Sequence, residues 1–250
     1  SYATCAVLAT GAVTCWGGGY LGNGNGAGSP SPVTVPGVSG AVQLAMGTGH
    51  TCALLTGGAV TCWGTNGNGQ VGDGGTSPAT SPKTVTGITG AVAISAAGAA
   101  TCAVLNGGTV KCWGADGLSH DRTSPTTISG ITDATALISA DNATCAIRTG
   151  GTVACWGDNF EGTLGNGMGP YAPQPVPVVG LTGITQVSAG DYHACALKSD
   201  QTVWCWGQNL EGQAGHVPAD VQDRDTWSPA TVPGVGDAVS VSSGHAHSCA

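Results

Sequence analysis

Ten of the eleven cysteines fall into five pairs, Cys5/Cys15, Cys52/Cys62, Cys102/Cys112, Cys145/Cys155 and Cys195/Cys205, each ten residues apart, and the second of each pair is followed by Trp-Gly. Cys249 is left over, in the phase of a first cysteine. A second marker, Pro-x-x-(Val/Ile)-x-Gly-(Val/Ile/Leu), begins at Pro32, Pro82, Pro125, Pro175 and Pro229, each twenty residues before the next first cysteine. From this proline to the tryptophan every complete unit takes thirty-one steps without insertion or deletion. From the tryptophan to the next proline the steps number 16, 19, 12, 19 and 23, so all length variation sits in one segment per unit. A one-residue slip turns a strand's apolar face outward, whereas a surface loop takes up extra length at small entropic cost. The constant part is therefore β-sheet, repeated over 1–46, 47–96, 97–139, 140–189 and 190–243, with 244–250 starting a sixth copy, in one repeat domain over 1–250.

Period-two apolar patterns agree with this, as in Ala41-Val42-Gln43-Leu44 and Ala59-Val60-Thr61-Cys62-Trp63, and give four short strands per unit. Turn residues such as Thr56-Gly57-Gly58 and Asn106-Gly107-Gly108 join the last two as a hairpin. Cysteines directly opposed across such a hairpin place their Cα atoms about 4.5–5.5 Å apart, within bonding range. Five cross-strand disulfides are expected, each contributing up to about 2.8 kcal/mol by the chain-entropy estimate. A zinc site is the rival reading, but spacing of ten lacks the short Cys-x-x-Cys knuckle. The disulfides imply an oxidising, extracellular or cell-surface setting.

With 44 Gly and 13 Pro among 250 residues, a helical bundle is excluded. Only 8% of positions are charged, against about 25% in ordinary soluble domains, and the net charge is −8. A polyanion partner would be repelled, so nucleic-acid binding is not expected. Residues 1–72 hold no Asp, Glu, Lys or Arg, and the whole −8 lies in 126–250. No stretch of eighteen apolar residues escapes interruption, so membrane insertion is not expected. The start at Ser1 reads as processing or truncation.

The segments Ser188-Ala-Gly-Asp-Tyr-His-Ala-Cys-Ala-Leu197 and Val203-Trp-Cys-Trp-Gly-Gln-Asn-Leu-Glu-Gly-Gln213 resemble the regulator of chromosome condensation repeat, in a cysteine-enriched form similar to that of secreted bacterial proteins. The resemblance runs over essentially the whole chain. Gly17-Gly18-Gly19 and Ala115-Asp116-Gly117 depart from the usual loop start, so those loops are expected to differ in shape. It implies an all-β fold, a β-propeller or propeller arc of four-stranded blades, about five of them here where the family usually has seven. Seven such units need roughly 350 residues. Further residues beyond Ala250, or another subunit covering open strand edges, are then expected.

No nucleophile elbow, zinc-protease, P-loop or dinucleotide motif is present, and no cofactor is expected. Glu161 and Glu211 occupy equivalent loop positions, which repetition explains more simply than an acid pair. His50, His193 and His247 share one strand site, read as hydrogen-bonded inner-strand histidines; it is Ala3, Ala100 and Ala143 in the other copies. His245 with His247 makes at most half a metal site. Residues 66–74 lack the carboxylate spacing of a calcium loop, and Asn142-Ala-Thr144 is a weak glycosylation signal. The repeated Trp16, Trp63, Trp113, Trp156 and Trp206 are read as blade packing.

Partner contacts are expected from the variable segments, at Tyr20, Phe160, Glu161, Tyr171, Glu211, Arg224 and Trp227. The sequence thus points to a secreted, non-enzymatic propeller acting as a protein-interaction or structural module, its partner a protein or copies of itself in an extracellular filament or surface layer. The alternative is a soluble inhibitor of a partner enzyme, similar in role to the secreted bacterial β-lactamase inhibitor protein built from such repeats. A hydrolase stands third.

Overall fold

A computed structural model describes residues 3–115, 121–141, 143–216 and 225–250. The chain divides into two compact units, Ser1–Ile128 and Ser129–Ala250, and the repeat runs through both. In the first unit, β1 (Ala3–Val7), β2 (Val13–Gly17) and β3 (Ser29–Thr34) make a three-stranded antiparallel sheet. It is followed by two four-stranded sheets, β4 (Ala41–Met46) to β7 (Ala79–Thr84) through β5 (His50–Leu55) and β6 (Val60–Gly64), then β8 (Ala91–Ala97) to β11 (Arg122–Thr127) through β9 (Ala100–Leu105) and β10 (Val110–Gly114).

The second unit repeats the plan. β12 (Ala134–Ser139), β13 (Ala143–Arg148), β14 (Val153–Asp158) and β15 (Tyr171–Pro177) form one sheet, and β16 (Ile184–Ala189), β17 (His193–Lys198), β18 (Val203–Gly207) and β19 (Thr226–Thr231) the next. A two-stranded sheet, β20 (Ser242–Ser243) with β21 (Ser248–Cys249), ends it. Each four-stranded sheet begins at the strand before the first cysteine. A repeat counted from residue 47 therefore takes three strands of one sheet and the first of the next.

Cys5, Cys52, Cys102, Cys145 and Cys195 stand directly opposite Cys15, Cys62, Cys112, Cys155 and Cys205 in their hairpins. All five pairs are bonded, with Cα atoms 4.0–4.1 Å apart, and Cys249 is free and exposed. The separation lies just below the roughly 4.5 Å of a non-hydrogen-bonded opposed pair.

The outer strand explains the proline marker. In the β14–β15 pair, Cys155 faces Val176 and Gly157 faces Ala172, so two steps on one strand meet four on the other. The same mismatch recurs in the other four sheets. Pro32, Pro82, Pro125, Pro175 and Pro229 all fall within these bulges, where a residue without an N–H leaves no ladder bond unmade. Pairing resumes beyond the bulge, so the outer strands start before the proline. Tyr171 is consequently the first residue of β15 and Trp227 lies within β19, rather than in loops as the proline ruler placed them.

Sheets within a unit are joined by recurring devices. Trp113 and Trp206 are buried, and each indole N–H donates to a carbonyl of the preceding sheet's loop, Gln70 O at 2.9 Å and Thr163 O at 2.8 Å. The rings lie close to Gly72 and Gly165, where an added Cβ would meet the indole at 2.8 Å. Gln43, on β4, closes a two-bond amide clasp on the backbone of Ile94 in the next sheet, and Gln186 on β16 does the same to Val241. Each clasp satisfies both a backbone donor and a backbone acceptor of the following repeat.

Candidate functional site

In the second unit, Ala143 opens β13 opposite Gly157, while the hairpin turn 149–151 lies at the far end. The variable loop 159–170 and the short loop 190–192 of the next sheet therefore emerge at the Ala143 end, which we call the loop face. Asn159, three residues after Trp156, organises the variable loop from within. Its Oδ1 accepts the Leu164 N–H at 2.8 Å, and its Nδ2 donates to Asn166 Oδ1 and to the Met168 carbonyl. Asn66 and Asn209 play the same part in their loops, accepting from Val71 N and Ala214 N at 2.9 Å. Asn66 also donates to Asp73 and to the Gly75 carbonyl, which closes this loop as a tight turn.

With its interior fixed, the loop presents Phe160, 67% exposed, and Glu161 at its tip. Thr163 Oγ1 donates to the Tyr192 carbonyl at 3.1 Å and ties the tip to the neighbouring loop. Between them lies a cleft of about 290 Å³ lined by Ala143, Asp158, Phe160, Glu161, Thr163, Asp191 and Tyr192. Asp158 uses one oxygen to accept the Phe160 N–H at 3.0 Å, and Asp191 meets His245 Nδ1 at 2.5 Å. Burial pushes the carboxyl of nearby Asp141 above its ordinary range, and the charge of Asp191 adds to the rise.

The residues expected at partner contacts are placed as follows. Phe160 and Glu161 share this cleft. Glu211 borders a separate apolar cleft beside Val203, Val232, Val235 and Val241, so the two glutamates do not line one site. Tyr171 and Trp227 are half-buried strand residues, the Trp227 ring lying over Gly169. Tyr20 is half-buried in the first unit, and Arg224 lies outside the described residues, as does Asn142. Sequence reasoning missed Asp158, Thr163, Asp191, Tyr192 and Ala143. Asp191 and Tyr192 belong to a loop of constant spacing, which length variation does not flag; an acidic and an aromatic residue just before His193 were the available signal.

His50 and His193 are buried, and burial lowers both imidazoles, His50 to about 4; at His193 a backbone bond to His247 opposes the fall. Each reaches a hydroxyl of the next sheet, His50 Nε2 to Thr101 at 2.7 Å and His193 Nε2 to Ser248 at 2.9 Å. His247, at the same repeat position, is exposed instead. Among the described residues no cluster of three His, Cys, Asp or Glu is arranged to hold a metal ion, and no helix is long and apolar enough to cross a membrane.

The regulator of chromosome condensation (RCC1) repeat matches residues 41–70 and 184–213 in one form and 150–197 and 200–250 in another. No curated protein matches the sequence. Among solved structures, human WBSCR16 superposes with a TM-score of 0.83 at 21% identity, over 99% of this chain and 69% of that one. Prp20p from Saccharomyces cerevisiae, a structure described with its binding to Gsp1p and histones, gives 0.84 at 19%, over 99% and 66%. The ectodomain of the Arabidopsis thaliana receptor kinase ACR4 gives 0.53 at 17%, over 98% and 71%. The chain spans about two thirds of the length of these propeller proteins. With four-stranded antiparallel blades, the tryptophan and asparagine devices that lock them, and repeat matches over more than half of its length, the chain is a β-propeller protein of the RCC1 repeat family.

Proposed function

We propose that this chain is a secreted, non-enzymatic binding module that holds a protein partner on its loop face. The observation that carries this reading is the cleft at Phe160 and Tyr192, an exposed aromatic pair on two adjoining loops, the first of them hydrogen-bonded from within by Asn159. Exposed aromatics on a preorganised surface are what partner anchoring requires, because little conformational freedom remains to be lost on association. Exposed Leu210 in the next loop extends the same face. Yeast Prp20p, similar in fold, is described as binding Gsp1p and histones, and a related structure holds it with Kap60, which supports a protein-binding role for the architecture. Five disulfides support an extracellular setting. The repeat-related acids Glu161 and Glu211 border separate clefts and so do not form an acid pair with each other.

Site-specific photo-crosslinking in the native extracellular fluid tests this. Probes at Phe160 and Leu210 are expected to give one discrete adduct, and probes at Thr149 and Ser199, in the turns at the opposite end, none. Adducts from the turn positions alone would overturn the reading.

A further inference from the structure

The cleft lies at a sheet junction that lacks a bridge found at two others. His50 and His193 each fill the space at the start of their strand and reach Thr101 or Ser248 of the following sheet. At the junction of β13 with β17 both partners are alanine, Ala143 in the histidine position and Ala194 in the hydroxyl position. Removal of an imidazole and its acceptor together leaves room that opens to the loop face, and Ala143 lines it.

What surrounds this room is specific in its chemistry. The Phe160 ring and Tyr192 stand at its rim, and Asp158, Glu161 and Asp191 supply carboxylates. Glu161 has no hydrogen-bond or ion-pair partner among the described residues. Of the described Arg and Lys side chains of this unit, Arg148 is held by Asp133 at 2.7 Å and Lys198 by Asp200 at 3.3 Å, and neither lines the cleft, while His245 Nδ1 engages only the Asp191 carboxylate, at 2.5 Å. We propose that the cleft receives an arginine side chain presented by a loop of the protein partner, the guanidinium stacking on Phe160 and meeting the carboxylates of Glu161 and Asp158. A planar, weakly hydrated cation suits an aromatic wall beside carboxylates better than a compact ammonium does.

This inference rests on the loop-face binding role and names the group bound. The test titrates N-acetylarginine methylamide, and its lysine and citrulline counterparts, into the full chain, following the Ala143 and Tyr192 amides by NMR. The arginine probe is expected to bind more tightly than the lysine probe, and citrulline, of the same shape without charge, to lose about tenfold or more. Phe160→Ala and Glu161→Gln are each expected to weaken arginine binding about fivefold, with Glu211→Gln unchanged. Ala143→His combined with Ala194→Thr rebuilds the bridge seen between His50 and Thr101 and fills the cleft while leaving every carboxylate in place, so it is expected to abolish binding. Should that variant not fold, Ala143→Met fills the same space. Equal affinity for citrulline, or full affinity in the filled variant, would overturn the proposal. Loop-face crosslinks without arginine binding would overturn the proposal and leave the binding role standing. Arginine binding without loop-face crosslinks would support the cleft's chemistry and remove the role.

Discussion

The Nε2 of His50 lies 2.7 Å from Thr101 Oγ1, and that hydroxyl lies 3.2 Å from the Gln70 carbonyl. A hydroxyl has one hydrogen, and a carbonyl can only accept it. Thr101 therefore donates to Gln70 and accepts from His50, which fixes the imidazole as the neutral Nε2–H tautomer. Its Nδ1 is buried with no hydrogen-bond partner among the described residues.

A pH dependence follows. Burial lowers His50 from 6.5 to about 4, so the unfolded chain binds more protons than the folded one across that window. The contribution is complete above pH 6.5 and declines as pH falls toward 4, by about 3 kcal/mol in all. Urea unfolding of the wild type and His50→Gln at neutral pH and near pH 4 is expected to show the larger acid loss in the wild type. Parallel losses would refute the assignment.

The indole bonds are separable from indole burial. Trp113 donates to Gln70 O, whereas Trp63, equally buried, has no acceptor for its Nε1 among the described residues. Its ring faces the first loop, where Gly17-Gly18-Gly19 replaces the start used by later loops. Trp→Phe removes similar ring volume at both sites, so Trp113→Phe is expected to cost about 1 kcal/mol more than Trp63→Phe in denaturant unfolding.

Gly165 and Gly180 both adopt left-handed backbone, φ 60° and 72°. Alanine at Gly180 would meet nothing within 4 Å, and its cost is conformational, about 1 kcal/mol. At Gly165 the new methyl would lie 2.8 Å from the Trp206 ring and 3.0 Å from Val178. Thermal unfolding is expected to rank Gly165→Ala well below Gly180→Ala, by about 2 kcal/mol.

Alkylation followed by mass spectrometry checks the sulfur pairing. One label is expected on the unreduced, denatured chain, at Cys249, and eleven after reduction. Several labels before reduction would contradict the five cross-strand bonds.

The strand plan was legible because cysteine spacing sets hairpin register: a fixed interval with a turn at its centre leaves one way to oppose Cys52 and Cys62. The proline marker was visible, but its meaning was not. Nothing in the sequence says that Pro175 sits in a bulge with the strand continuing to Tyr171, since a bulge is a relation between two strands. The cleft was harder still. Ala143 reads as a blank at the histidine position, and only the geometry connects it with Glu161 and with Asp191 and Ala194, which come from two other segments.

Every sulfur bridge closes between adjacent strands of one sheet, and none joins a sheet to its neighbour. A single proteolytic cut between Phe160 and Glu161 would thus yield two fragments sharing no covalent bond. Such a nicked molecule would hold together in native buffer through the β14–β15 ladder, the bonds of Asn159 to Leu164 and Asn166 and the Ile184 N–H bond to the Gly151 carbonyl, yet separate in denaturant with no reductant added.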